Sequence, residues 1–149
     1  MPPALPATML RIRDAAPTDI AALIALDSVA RDDPRRTWQI TRWLAAGGVH
    51  VAERNEAAVG YMVIHHHFFG EAFIEMLMVA PAQLGQGIGG GLLRHAIALH
   101  GHGKLFTSTN ASNVGMQRLL HAIGFIGSGI VHGLDEGDPE RIYRFAVAP

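Results

Sequence analysis

Cysteine is absent from the sequence. Its absence excludes disulfides, thiolate nucleophiles and cysteine-ligated zinc, and it fits the reducing cytoplasm, where the protein is expected. Long apolar runs are missing as well, since nothing approaches the ~18 apolar residues of a membrane-spanning helix. Nor is one sign of charge in excess: 12 Lys and Arg residues meet 13 Asp and Glu residues. A chain so balanced makes no electrostatic case for nucleic acid or an anionic membrane as partner. Residues 1–8 lack the basic start and continuous apolar stretch of a signal peptide. Their prolines point to a short extended arm ahead of the fold.

What is present is a chain of 149 residues, 49% apolar and 17% charged, enough for one globular domain over residues 9–149. No repeat or low-complexity linker interrupts it. Met9 to Arg13 predicts a strand, and Pro17-Thr-Asp19 starts a helix carrying Ile20, Leu23 and Ile24. A second helix carries Trp38, Ile40, Trp43 and Leu44 and ends at Gly47-Gly48. Its tryptophans read equally as core and as cover for a cleft. Val49 to Glu53 and Ala58 to His65 predict strands paired around Asn55, and Phe68-Phe-Gly70 turns the chain into a strand over 72–79. Leu92 to Leu99 predicts a helix and Leu105 to Thr109 a strand. Ser112 is placed to cap a helix whose Met116, Leu119, Leu120 and Ile123 recur at three and four residues. Strands over Phe125 to Val131 and Ile142 to Val147 close the chain. The alternation predicts an α/β fold, a mixed sheet with helices on both faces.

Five of the seven positions from Gly85 to Gly91 are glycine, between an apolar strand and a helix. Packing gives little reason for that. Without a Cβ the main chain can be approached closely, and a helix start adds unpaired N–H donors and roughly half a positive charge. Together these suit an anion such as phosphate. Gly85–Gly90 formally matches G-x-G-x-x-G, but the dinucleotide fingerprint follows its strand directly and needs an acid about twenty residues on. Here Ala80 to Leu84 intervene after Val79, and the region of Thr109 and Asn110 holds no carboxylate. The phosphate loop of NTPases fails too, because no Lys followed by Ser or Thr closes the run. A tight turn that serves packing alone is the remaining alternative.

The longer pattern Leu77-x-Val79-x-Pro81, Leu84-Gly85-x-Gly87-Ile88-Gly89 and Leu92-Leu93 resembles the acetyl-CoA signature of the GNAT N-acetyltransferase superfamily. Asn113-x-x-Met116-x-x-Leu119-Leu120-x-x-Ile123-Gly124-Phe125 resembles the second half of that family's cofactor site, and Ile12 to Ile20 its usual start. The likeness covers nearly the whole chain. It implies the acyl-CoA N-acyltransferase fold, with a mostly antiparallel central sheet. It also implies acetyl-CoA as co-substrate, no metal, a small-molecule or peptide amine as acceptor, and a homodimer formed through edge strands. By this resemblance the main chain of Gly85, Gln86, Gly87, Ile88, Gly89 and Gly90 wraps the CoA pyrophosphate. The backbone of Leu77, Met78 and Val79 holds the acetyl carbonyl and the pantetheine arm. Asn113, in one motif with Met116, reaches the same arm or the phosphates. Two positions depart from the family. Leu84, at the mouth of the loop, stands where Arg or Gln is usual, and Leu120 where many members carry a tyrosine acid. These departures keep open a second reading, a non-catalytic acyl-CoA-binding module.

Acetyl transfer to an amine needs a free nitrogen lone pair, and an alkyl ammonium of pKa ~10.4 must first give up a proton. Glu75 is the catalytic candidate. It is the only charged residue between Ala72 and Leu84, on a strand apolar at both alternating faces, where desolvation would strengthen a carboxylate as a base. It also matches a strand glutamate that some amine-acetylating members use through a water. A carboxylate with a structural partner, or at the solvent end of the sheet, is the other reading. A thiol of pKa ~8.5 leaves as thiolate without an acid, so the missing tyrosine is not decisive. Tyr143 and His121 are substitutes outside the family position. A backbone N–H near Val79 would serve the oxyanion. Without cysteine, the attack is expected to be direct, within a ternary complex.

His65-His-His67 puts two histidines on one strand face and one on the other, so no face offers three ligands for a metal. The triplet reads first as a polar strand end and next as a lining for the acceptor cleft near Glu75. Asp135-Glu-Gly-Asp-Pro-Glu140 resembles a segment of a group of bacterial GNATs. It reads as a solvated hairpin turn in preference to an attractor for a cationic amine.

Overall fold

The computed structural model describes residues 9–146, so the arm over 1–8 and the end of the last strand at Val147 lie outside the described residues. In chain order the elements are β1 (Arg11–Asp14), α1 (Ile20–Leu26, entered through a 3-10 turn), α2 (Pro34–Ala46), β2 (Val49–Arg54), β3 (Ala57–Phe68) and β4 (Glu71–Val79). Then follow α3 (Ile88–His100), β5 (Leu105–Asn110), α4 (Val114–Ile123), β6 (Phe125–Val131) and β7 (Glu140–Phe145). The strands hydrogen-bond in the order β1-β2-β3-β4-β5-β7-β6. β4 and β5 run parallel, whereas β1·β2, β2·β3, β5·β7 and β6·β7 are antiparallel. This is the mixed, mostly antiparallel α/β sheet expected from the sequence.

By its contacts the chain divides into two units. The first takes the described residues through Val63 together with Met76–Leu92; the second takes Ile64–Glu75 and the described residues from Leu93 onward.

In the first unit, Leu23, Leu26, Ile40, Val49, Val51, Tyr61 and Val63 form a buried cluster under α1 and α2. α2 starts as its sequence dictates, with Pro34 in its first turn and the Asp33 carboxylate accepting the Arg35 N–H. Gly47 ends it at φ 86°. One carboxylate lies within this core. Asp27 accepts from the N–H of Val29 at 2.9 Å and of Ala30 at 3.2 Å, from the Tyr61 hydroxyl at 2.5 Å and from Arg36 Nη1 at 3.1 Å. Four donors make a buried charge tolerable. Burial, and then the bond to Asp27, push the Tyr61 phenol up, far from neutral-pH proton chemistry. The two tryptophans of α2 divide. Trp43 packs 6.4 Å from the Tyr61 ring, while Trp38 is 59% exposed beneath the Arg42 guanidinium.

α3 begins at Ile88, inside the glycine run and four residues before the helix predicted from Leu92. Buried Ile88, Leu92, Leu93 and Ala96 give it an apolar stripe at helical spacing. That stripe outweighs a helix cost of about 1 kcal/mol for each of its three glycines.

In the second unit, Ile74, Leu93, Leu105, Leu120, Phe125 and Tyr143 are buried. The Thr107 hydroxyl donates to the Ile74 carbonyl at 3.0 Å, locking β4 to β5. The acidic loop is the exposed hairpin turn expected, between antiparallel β6 and β7, and two of its carboxylates have partners as well. Asp138 accepts from the N–H of Ser112 at 2.9 Å and from its hydroxyl at 2.6 Å, and Asp135 accepts from Asn110 Nδ2 at 2.9 Å. The two aspartates hold the β5–α4 connection. Ser112 is thereby drawn away from capping, and Asn113 caps α4 in its place, accepting the Met116 N–H at 3.1 Å.

Candidate active site

The glycine run serves three purposes. Gly85 (φ 79°) and Gly87 (φ 81°) are left-handed, and a Cβ on either would meet nothing within 4 Å, so their main chain faces open space. Gly91 is different: its Cβ would come within 2.7 Å of Leu10, so it is a packing glycine. Between them the helix opens. The first bond into α3 runs from the Gly91 N–H to the Gly87 carbonyl. Among the described residues no backbone acceptor takes the N–H groups of Ile88, Gly89 and Gly90. The turn thus presents main-chain donors to open space, an arrangement with the chemistry to take an anion.

Two residues that support this turn were not found from the sequence. A Cβ at Gly60 of β3 would lie 2.9 Å from the Met78 carbonyl and 3.1 Å from Ile88, so its bareness lets β4 and the start of α3 close together. A lone glycine in a predicted strand was the available signal. Arg54, at the end of β2, donates to the Gln86 side chain at 2.6 Å. Its Nε is buried and has no hydrogen-bond partner among the described residues. A guanidinium thus stands at the loop where Leu84 offers none; Leu84 itself is exposed. No local pattern could have joined Arg54 to a loop 32 residues away.

β4 carries Leu77, Met78 and Val79, all half-buried, in the first unit and Glu75 in the second. The parallel ladder with β5 spans Ala72 to Ile74 and stops one residue before Glu75. Glu75 is not in the apolar setting expected. Its side chain is 44% exposed, with Oε2 3.6 Å from His65 Nε2. Strand alternation explains this, because Glu75 shares the accessible face of β4 with Phe73 while Ile74 points into the core.

The histidine triplet splits between faces as the alternation requires. His65 stacks on His67 at 5.3 Å and on Phe73 at 5.4 Å, while His66 meets His100 edge-on at 5.1 Å. His66 and His100 line a cavity of about 270 Å³ with Glu71 and Lys104. His65 Nδ1 accepts the His67 backbone N–H at 3.0 Å. The neutral ring therefore carries its proton on Nε2, facing Glu75. Burial lowers His65 below the usual histidine value, against the opposing pull of Glu75 and with help from His67 and His66.

Asn113 spends its Oδ1 on the α4 cap, beside Met116. Leu120, at the position where a tyrosine acid would fall, is fully buried in the second unit's core. Tyr143 is also buried, with His121 edge-on at 5.8 Å.

A family model for the Acetyltransferase (GNAT) family matches residues 18–125. The chain belongs to the GNAT acetyltransferase family. As a GNAT it is an N-acyltransferase of a family that uses acetyl-CoA and acts on amines. A GNAT family acetyltransferase from Bacillus cereus ATCC 10987 is 29% identical with a TM-score of 0.85, over 95% of this GNAT and 99% of that chain. The ribosomal-protein-S18-alanine N-acetyltransferase of Escherichia coli, at 21% identity and TM-score 0.76, covers 95% of this chain and 97% of its own. Arabidopsis thaliana Naa50, solved with the bisubstrate analogue CoA-Ac-MVNAL, is 17% identical with a TM-score of 0.73, over 93% and 99%. The last two share the fold. No curated protein matches the sequence. Among the described residues no helix is long and apolar enough to cross a membrane.

Proposed function

We propose that this GNAT is an acetyl-CoA-dependent N-acetyltransferase that acts on a primary amine by direct attack in a ternary complex. The observation that carries the reading is the Gly85–Gly90 turn: two left-handed glycines facing open space, then three helix N–H groups without backbone acceptors. Such a cradle suits the pyrophosphate of CoA, and the half-buried backbone of Leu77 to Val79 leads from it along β4. The Arg54 guanidinium supplies the positive charge that Leu84 lacks.

Acetyl-CoA brings the activated acyl group. Glu75 takes one proton from the ammonium, directly or through a water, which frees the nitrogen lone pair. As the C–N bond forms and the C–S bond breaks, the electron pair leaves with sulfur, and the second nitrogen proton goes to the thiolate or to solvent. His65 is a positioning residue. Its Nε2–H faces Glu75, and the same contact that fixes its tautomer leaves Nδ1 no room for a second proton.

Thiol release from acetyl-CoA over an amine panel tests the reading. Turnover with a primary amine is expected, and CoA binding without turnover on any amine would overturn it. That second outcome would mark a non-catalytic acyl-CoA-binding module, which the buried Leu120 and exposed Leu84 favour.

A further inference from the structure

We propose that the acceptor is a primary amine carried on a flat apolar body, held along a row of aromatic rings beside Glu75. The inference rests on the reading of Glu75 as the base. The row lies wholly within the second unit. From the Glu75 end, His65 stacks on Phe73 at 5.4 Å and 26°, and Phe73 stacks on Phe68 at 4.9 Å and 26°. Phe106, the register partner of Phe73 across β4·β5, meets Phe68 at 5.0 Å. Phe69 ends the row, edge-on to Phe68 at 5.1 Å. Phe68, Phe73 and Phe106 are only partly buried, and Phe69 is 90% exposed.

The turn that carries Phe69 shows that this ring is placed at a cost. Phe69 has φ 53°, the left-handed region that a bulky side chain avoids. The other tight turn of the meander, between β2 and β3, puts Asn55 at φ 54°, as that conformation favours, and then Glu56 at φ 63°, a strained position too but one filled by an exposed polar side chain and not by an aromatic ring. Local turn chemistry therefore disfavours phenylalanine, and burial does not account for it either. A ligand laid against the ring would.

Charge sets the orientation. A carboxylate stands at one end of the row, about 7 Å along the strand from Phe73 by strand rise. A protonated amine pairs with Glu75, and that nitrogen is the one that must lose a proton to react. The rings then offer stacking to a planar body one or two carbons away. The strand's other carboxylate, Glu71, already has the Lys104 ammonium 4.0 Å away, so a second ammonium would meet a like charge there. The pattern fits an arylalkylamine better than a polyamine.

The test compares 2-phenylethylamine with ethylamine, spermidine and a short peptide as acceptors. Phenylethylamine binding to the CoA-loaded protein is followed in parallel by calorimetry. The expected kcat/KM is about tenfold or more higher for phenylethylamine than for ethylamine. Two variants probe the row. Phe69→Asn removes the outer ring with a residue suited to the left-handed turn, and Phe73→Leu keeps apolar volume in the strand. Each is expected to raise the calorimetric Kd for phenylethylamine about three- to tenfold. Ethylamine, spermidine or the peptide turning over as well as phenylethylamine overturns the inference and leaves the transferase reading standing. An unchanged Kd in both variants does the same. No turnover on any amine, with CoA bound, overturns both.

Discussion

The Gly85–Gly90 turn and the His65–Glu75 patch are made of different material. The turn presents main-chain donors, fixed by two left-handed glycines and the first turn of α3. The patch presents side chains on a strand face, a carboxylate and an imidazole 3.6 Å apart at the end of a row of rings. Main-chain donors read only that an anion is present, whatever else the ligand carries. Side chains read charge, shape and protonation state. On the proposed function, that difference is the one between a site for a common co-substrate and a site that selects the acceptor.

That contrast is open to direct attack. The largest effect belongs to Glu75→Gln, expected to lower kcat about 100-fold with the KM for acetyl-CoA unchanged, read by steady-state thiol release. An unaltered kcat would remove Glu75 as base and with it the catalytic half of the comparison. Gly87→Ala should do the reverse. A methyl group in a left-handed turn costs about 1 kcal/mol and crowds the approaching anion. The KM for acetyl-CoA should rise about tenfold with kcat largely kept. Arg54→Ala sharpens the picture of the cradle. The Kd for CoA should rise about fivefold at low salt and by less at high salt, because an exposed charge contact is screened.

The smallest effect is on stability. Burial lowers both His65 and His100, His100 with help from His66. The unfolded chain takes up these protons near pH ~6.5 while the folded chain resists them, so the contribution is full above that pH. It is lost as the pH falls through the lowered folded values. Thermal melts from pH 7 to pH 5 should show a falling midpoint. The double variant His65→Gln, His100→Gln should flatten that slope, and an unchanged slope would refute the assignment.

The turn was far more legible in the sequence than the patch. Glycines flanked by a strand and a helix announce themselves in one stretch, as does the downstream Asn113–Phe125 motif. What the local pattern hid was the division of labour within the run, because Gly91 is bare only to admit Leu10. Arg54 was hidden for the same reason: it reaches Gln86 through tertiary structure. Glu75 stands out in sequence as the only charge between Ala72 and Leu84, but its 44% exposure is not what the apolar run implies. An apolar sequence on both faces does not say which face a neighbouring element covers. The acidic loop is the exposed hairpin that its charges announce. Its charges look solvent-bound in sequence, and only the fold shows Asp135 and Asp138 holding Asn110 and Ser112.

The central claim, that main-chain donors at Gly85–Gly90 hold the pyrophosphate of CoA, is tested most directly by calorimetric titration of the protein with CoA and with pantetheine, which lacks the phosphates. Loss of two or more charge-assisted hydrogen bonds predicts binding of pantetheine about 100-fold weaker than that of CoA. Equal affinity for the two would contradict the account.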